Sequence, residues 1–252
     1  MKFKLICLGL VLLFLGGCRN MYLTSPYYFE GDIELYLDGE LVAAADLDSG
    51  MADDMSNYGF YIDSGDNPVN GLAEFIIFQR EMEVWEFWYL YENFGYYPSD
   101  SDSMSGYYKF EGSLACDSIV YYDSTDGGDN DGELLSGDTP DYTSFEVDGS
   151  TYYYMSPMAN SRIALGDYVL PDKIEEFSVS FWFQESLDNS DDVNLFRIAD
   201  LDDSDKTEID LTIEEDGRFV LTIGTNWQKV WFKPTDYDDD SEHMLTFIFC
   251  NR

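Results

Sequence analysis

The sequence predicts an all-β fold, an antiparallel two-sheet sandwich of jelly-roll type with one short helix. Three observations carry this. Phe177, Val179, Phe181 and Phe183 alternate with Ser178, Ser180, Trp182 and Gln184, the period-2 signature of a strand with one face in a core. Ile209, Leu211, Ile213 and Phe219, Leu221, Ile223 repeat the alternation on either side of Asp216-Gly217, which reads as a hairpin turn. Many further short apolar runs are separated by Asp, Gly, Ser and Asn turns, the spacing of an antiparallel sandwich.

At the front, Lys2 and Lys4 precede an apolar run from Leu5 to Leu15, followed by Gly16, Gly17 and Cys18. Spanning a bilayer takes about 20 apolar residues, so this run reads as a secretory signal and not as a membrane helix. The ending Leu15-Gly16-Gly17-Cys18 resembles the lipobox of bacterial lipoproteins. That resemblance implies a signal peptide over residues 1–17, acylation of Cys18, and residues 18–30 as lipid anchor and aperiodic tether. An ordinary signal with an incidental cysteine is the alternative. An acylated chain is held on a membrane surface without crossing it, so the expected location is the bacterial cell envelope, at the outer membrane or cell surface.

The balance of 13 Lys+Arg against 51 Asp+Glu gives a net charge of −38, which repels nucleic acid and anionic lipid and favours cations. No nucleic-acid partner is expected. With 45% hydrophobic and 17% aromatic residues the chain is too apolar for a disordered acidic tail, so it has a core. Once the signal and anchor cysteines are set aside, Cys116 and Cys250 are left either to bridge or to sit as two separate buried thiols.

Along the mature chain, Ile33, Leu35 and Leu37 alternate with Glu34 and Tyr36, and Asp38-Gly39 turns the chain towards Leu41 and Val42. Met82, Trp85, Trp88 or Tyr89, and Leu90 recur at helical spacing between Glu81 and Glu92, with Gly95 as a stop. Residues 95–105, rich in Pro, Ser and Asp, read as a linker.

Residues 106–117 (GYYKFEGSLACD) and 123–135 (DSTDGGDNDGELL) resemble the opening of laminin-G-like, concanavalin A-like lectin domains. The similarity continues through residues 145–154, 163–169 and 177–183 (FSVSFWF) to residues 243–249 (HMLTFIF). The segments with which that family closes stand instead near the front, as residues 35–42 (LYLDGELV), 73–81 (AEFIIFQRE) and 86–91 (EFWYLY). The resemblance implies one circularly permuted sandwich over residues 31–252. Residues 31–94 would supply the closing strands and helix, 95–105 the new bridge, and 106–252 the opening strands. A remnant of two tandem copies is the rival reading. Permutation requires Met244–Phe249 to lie antiparallel beside Ile33–Leu37, with Asn251 and Gly31 at the cut turn.

The segment Glu208-Ile209-Asp210 through Glu214 resembles the strand motif of family 16 glycoside hydrolases, yet Thr212 stands where the shorter motif needs its second glutamate. At about 3.3 Å per residue, Glu208 and Glu214 would be roughly 20 Å apart, against about 5–5.5 Å for retaining chemistry. No nucleophile set, phosphate loop or zinc spacing is visible, and the sole histidine, His243, reads as structural. No enzyme is expected.

Asp129, Asp131, Gly132 and Asp138 have calcium-loop offsets, but Gly127 fills the first position, so solvated turn acids compete with that reading. The family resemblance implies a structural calcium held by Glu74, Glu111 and the Gly112 carbonyl. Trp182, Trp227, Trp231 and Tyr237 are candidates to stack on a sugar ring, or else to pack beneath loops. The functional expectation is a lipid-anchored envelope protein that binds a glycan or a surface protein. A structural spacer without a small ligand and a polysaccharide hydrolase are the alternatives.

Overall fold

The computed structural model describes residues 31–47, 55, 57–63, 66–94, 104–110, 120–121, 131–147, 150–166, 170, 176–184, 192–202, 207–224, 228–233 and 242–251. Four strands come before the helix: β1 Gly31–Leu37, β2 Glu40–Leu47, β3 Tyr58–Asp63 and β4 Gly71–Phe78. Helix α1 spans Val84–Glu92. Then follow β5 Met104–Tyr108, β6 Val120–Tyr121, β7 Gly132–Ser136, β8 Asp141–Val147, β9 Ser150–Ser156 and β10 Arg162–Leu165. The last six are β11 Glu176–Gln184, β12 Val193–Asp200, β13 Thr207–Ile213, β14 Phe219–Ile223, β15 Gln228–Phe232 and β16 Glu242–Asn251.

These strands form two eight-stranded antiparallel sheets packed as a jelly-roll-like sandwich, as the alternation predicts. The first sheet runs β2-β1-β16-β11-β4-β9-β8, with β5 also on β4; the second runs β15-β14-β13-β12-β3-β10-β7-β6. Of the four strands before α1, β1, β3 and β4 are interior members and β2 is an edge strand. Strand β1 lies between β2 and β16, β4 between β11 and the β5/β9 pair, and β3 between β12 and β10. Ile33 faces Phe249, Leu35 faces Phe247 and Leu37 faces Leu245, so β1 and β16 have the antiparallel pairing that permutation requires.

The main core lies between the sheets and draws on both ends of the chain. Ile33, Phe60, Phe75, Phe181, Phe196 and Phe247 are all fully buried in it. Phe75 stacks on Phe181 at 4.8 Å and Phe60 on Phe196 at 4.9 Å, contacts that join residues before α1 to residues after it. Each buried aromatic ring removes roughly 150–250 Å² from water, so these rings dominate the packing.

The turns follow the sequence signals. Asp38 and Gly39 have φ of 52° and 80°, the two positive values of a two-residue hairpin turn between β1 and β2. Between β13 and β14, Gly217 has φ of 77°. Asp38 also fastens this turn to β16. Its N–H donates to the Met244 carbonyl at 2.8 Å, and its carboxylate accepts the Met244 N–H at 2.9 Å and lies 2.7 Å from His243 Nδ1. The His243 ring also packs 6.0 Å from the Phe183 ring.

Helix α1 covers the outer face of the first sheet and closes a second, smaller core. Tyr36, Ile76, Phe78, Met82, Phe87, Leu90, Tyr107 and Ile248 meet there. The stripe expected from spacing is rotated: Phe87 and Leu90 face the sheet, whereas Trp85 and Trp88 are exposed. The cause is Glu86, which is buried on the inward face and takes a bidentate ion pair from Arg80, with both N–O distances 2.6 Å. Its carboxylate also accepts the Glu83 N–H at 2.7 Å. Burial alone would raise the Glu86 carboxyl, but the hydrogen bonds from Arg80 and Glu83 outweigh it and hold the group below the usual carboxylate range. Ser178 completes the docking by accepting the Met82 N–H and donating to the Arg80 carbonyl, each at 2.9 Å.

Two boundaries differ from the sequence reading. Strand β5 starts at Met104, so Met104 and Ser105 belong to the sheet and not to a linker, because Ile77 and Phe78 at the end of β4 offer a partner edge. Strand β7 occupies Gly132–Ser136, inside the supposed calcium loop, and its pairing with β10 excludes a loop wrapped around an ion. Cys250 is a buried thiol in the second core, while Cys116 lies outside the described residues.

Candidate functional site

Helix α1 lies over the first sheet and not over the second, whose outer face includes the buried residues Tyr61, Val220 and Thr222. The strands of the second sheet turn Phe60, Ile198, Ile209 and Leu221 into the core, so the alternate residues point outward. One outward row runs Lys229, Thr222, Asp210, Arg197, Tyr61 and Ala164 across β15, β14, β13, β12, β3 and β10. The next row runs Trp231, Val220, Thr212 and Asn194.

A chain of charges crosses the middle of this face. Arg162 donates twice to Asp63 Oδ2, at 2.7 Å and 3.1 Å, and Arg197 Nη1 reaches the same oxygen at 3.4 Å. Arg197 Nε then lies 3.8 Å from Asp210 Oδ1, which accepts a hydrogen bond from Asn194. Burial pushes the Asp210 carboxyl up and the Asp63 charge adds to this, opposed by Arg197 and Asn194. Two buried atoms here, Arg197 Nε and Asn194 Oδ1, have no hydrogen-bond partner among the described residues. Unmet capacity of that kind is uncommon in native interiors.

Trp231 sits at the β15 end of the face with 60% of its surface exposed, and the Arg218 guanidinium lies 5.8 Å from its ring. Arg218 is held by Glu214 at 2.7 Å and by Asp216 at 2.9 Å. It lines a cleft of about 390 Å³ with Asp192, Glu214, Glu215 and Asp216. Glu214 is therefore an ion-pair partner in the hairpin, beyond the end of β13. Strands lie about 4.8 Å apart, so the three intervals from Trp231 to Asn194 span about 14 Å.

The expected site residues are scattered. Trp182 does point away from the main core, but Tyr91 stacks on it at 5.8 Å and Phe94 packs at 5.0 Å, so α1 covers it. Glu74 is buried at a bulge in β4, opposite β11, with φ of 51°, and accepts a hydrogen bond from the Tyr107 hydroxyl. A carboxylate oxygen suits calcium, but this one is engaged by Tyr107, and no three metal-ligating side chains converge among the described residues. Cys18, Glu111, Gly112, Trp227 and Tyr237 lie outside the described residues. The Asp63–Arg162–Arg197–Asp210 chain escaped the sequence reading because its members are distant in sequence and joined only by strand pairing.

Fold and face together define an all-β antiparallel sandwich with one polar outer sheet surface and one helix-covered surface. No protein-family model, curated protein or solved structure matches the chain.

Proposed function

We propose that the chain is an exported, lipid-anchored, non-enzymatic binding module of the bacterial envelope, and that it holds a glycan or a surface protein on the outer face of its second sheet. The observation that carries this reading is Trp231, 60% exposed at the β15 end of that sheet with the Arg218 guanidinium 5.8 Å from its ring. An aromatic platform beside a planar guanidinium group suits a sugar chain, which offers both an apolar ring face and hydroxyls. The pairing of β1 with β16 supports a laminin-G-like sandwich with its strand order rotated.

The test is a glycan array probed with the protein released from its anchor. Binding should appear and should be lost in Trp231→Ala. A spacer role is favoured by one observation, that Asp63, Arg162, Arg197 and Asp210 are ion-paired with one another; an array blank for both proteins would support it. A structural calcium at Glu74, Glu111 and the Gly112 carbonyl is a lesser part of the proposal. It fails if the melting temperature is the same in chelator and in millimolar calcium.

A further inference from the structure

The other side of the molecule carries an apolar surface that the glycan-binding reading does not use. On α1, Val84 and Trp85 are 58% and 60% exposed, and Trp88 is 39% exposed. Residues 84, 85 and 88 are helix-surface neighbours through i,i+3 and i,i+4 spacing. Trp88 lies over Gly39, so close that a Cβ there would come within 3.1 Å of the ring. Leu41, 53% exposed, follows two residues on and pairs with Tyr36, whose ring lies 4.3 Å from Phe87 of α1. At roughly 150–250 Å² for each aromatic ring, the four side chains expose on the order of 400 Å², the size of the largest apolar patch on a typical monomer.

The rim of this patch is acidic. Glu40 and Glu83 are exposed beside Leu41 and Val84, and Glu92 is exposed one turn beyond Trp88. Asp38 and Glu40 reach Tyr91, which packs 6.0 Å from Trp88; burial and then these two charges push the Tyr91 hydroxyl up. Helix α1 has no lysine or arginine. A second copy would set like charges against each other. A lipid surface fits poorly as well, since helices that lie on membranes carry basic residues on their polar face. Lysine or arginine beside exposed tryptophan gains both the rim carboxylates and the indole faces.

We propose that Val84, Trp85, Trp88 and Leu41 form a docking surface for a protein partner that presents an apolar side chain flanked by lysine or arginine. Two immobilised synthetic peptides provide the probes, one alternating leucine with lysine and one alternating leucine with glutamate. The protein should bind the lysine peptide only. Trp85→Ser, at an exposed position, should keep its melting temperature and lose about tenfold or more in affinity, as should Glu40→Lys combined with Glu92→Lys. The proposal is overturned if Trp85→Ser binds the lysine peptide as well as the parent protein does, which would mean charge attraction alone, or if neither peptide binds. Attachment to phosphatidylcholine vesicles, or a dimer that Trp85→Ser dissolves, would assign the surface to another occupant and overturn it equally.

Discussion

Asn251 stands directly opposite Gly31 on the antiparallel β1–β16 ladder. The first and last described strands of the chain are thus neighbours in the middle of one sheet. Their apolar rows face the same core through Ile33, Leu35, Phe247 and Phe249. An added front segment would pack on the outside of a finished sandwich, whereas β3 and β4 are inserted between strands of the remainder and β1 pairs with β16.

The turn after β1 should be sensitive to the side chain of Asp38. Asp38→Ala places a β-carbon residue without a local hydrogen bond at φ of 52° and deprives the Met244 N–H of its carboxylate. We expect a loss of about 2–3 kcal/mol in urea unfolding, of which roughly 1 kcal/mol is backbone strain and the remainder lost hydrogen bonding. Asp38→Asn, which tolerates the left-handed region, should cost less than about 1 kcal/mol. Equal losses for the two variants would contradict this assignment.

Arg80→Ala should leave Glu86 buried without its ion-pair partner and with the Glu83 N–H still donating to it, at a cost of about 2–4 kcal/mol. The pH dependence has a definite sign. Because the folded Glu86 carboxyl titrates below its unfolded value, its contribution is full above the ordinary carboxyl range and disappears as pH falls through the folded value. Melting temperatures measured from neutral to acid pH should fall less steeply in Arg80→Ala than in the parent protein. Parallel profiles would rule out the ion pair as a source of acid lability.

Tyr107→Phe removes the hydroxyl that donates to buried Glu74. A loss of about 1–3 kcal/mol is expected in chemical denaturation, with no change in sheet content by circular dichroism. An unchanged midpoint would mean that Glu74 has other compensation.

Cys18→Ser should release the protein from membranes in detergent partitioning. A variant that remains membrane-bound after its signal is cleaved would remove the anchor from the account.

How far the sequence could be read depended on whether a feature was local. The positive-φ pair Asp38-Gly39 and the alternation of β11 are written in adjacent residues, and both are found where expected. Strand β3, buried through Gly59–Ile62, shows no alternation because neighbours cover both of its faces, and it was invisible. The alternation of β11 sets Trp182 on the face away from the main core, yet nothing near it in sequence specifies that α1 lies on that face. The orientation of α1 was hidden for a related reason. Its apolar residues encircle the helix, and the choice between Trp85 and Phe87 rests on the ion pair that draws Glu86 inward. In the charge chain of the second sheet, Asp63 meets Arg162 and Arg197 from 99 and 134 positions away, so only the fold could assemble it.

The central claim is that the strands before α1 are integral to the sandwich. Removing them takes β4 from beside β11 and β3 from between β12 and β10, which leaves unpaired strand edges and bares Phe181 and Phe196. The most direct measurement is therefore thermal unfolding of residues 99–252, expressed alone and together with residues 19–98. Alone, the fragment should aggregate without a cooperative transition, and co-expression should return a soluble complex that melts cooperatively. A stable, cooperatively melting monomer of residues 99–252 would contradict the account.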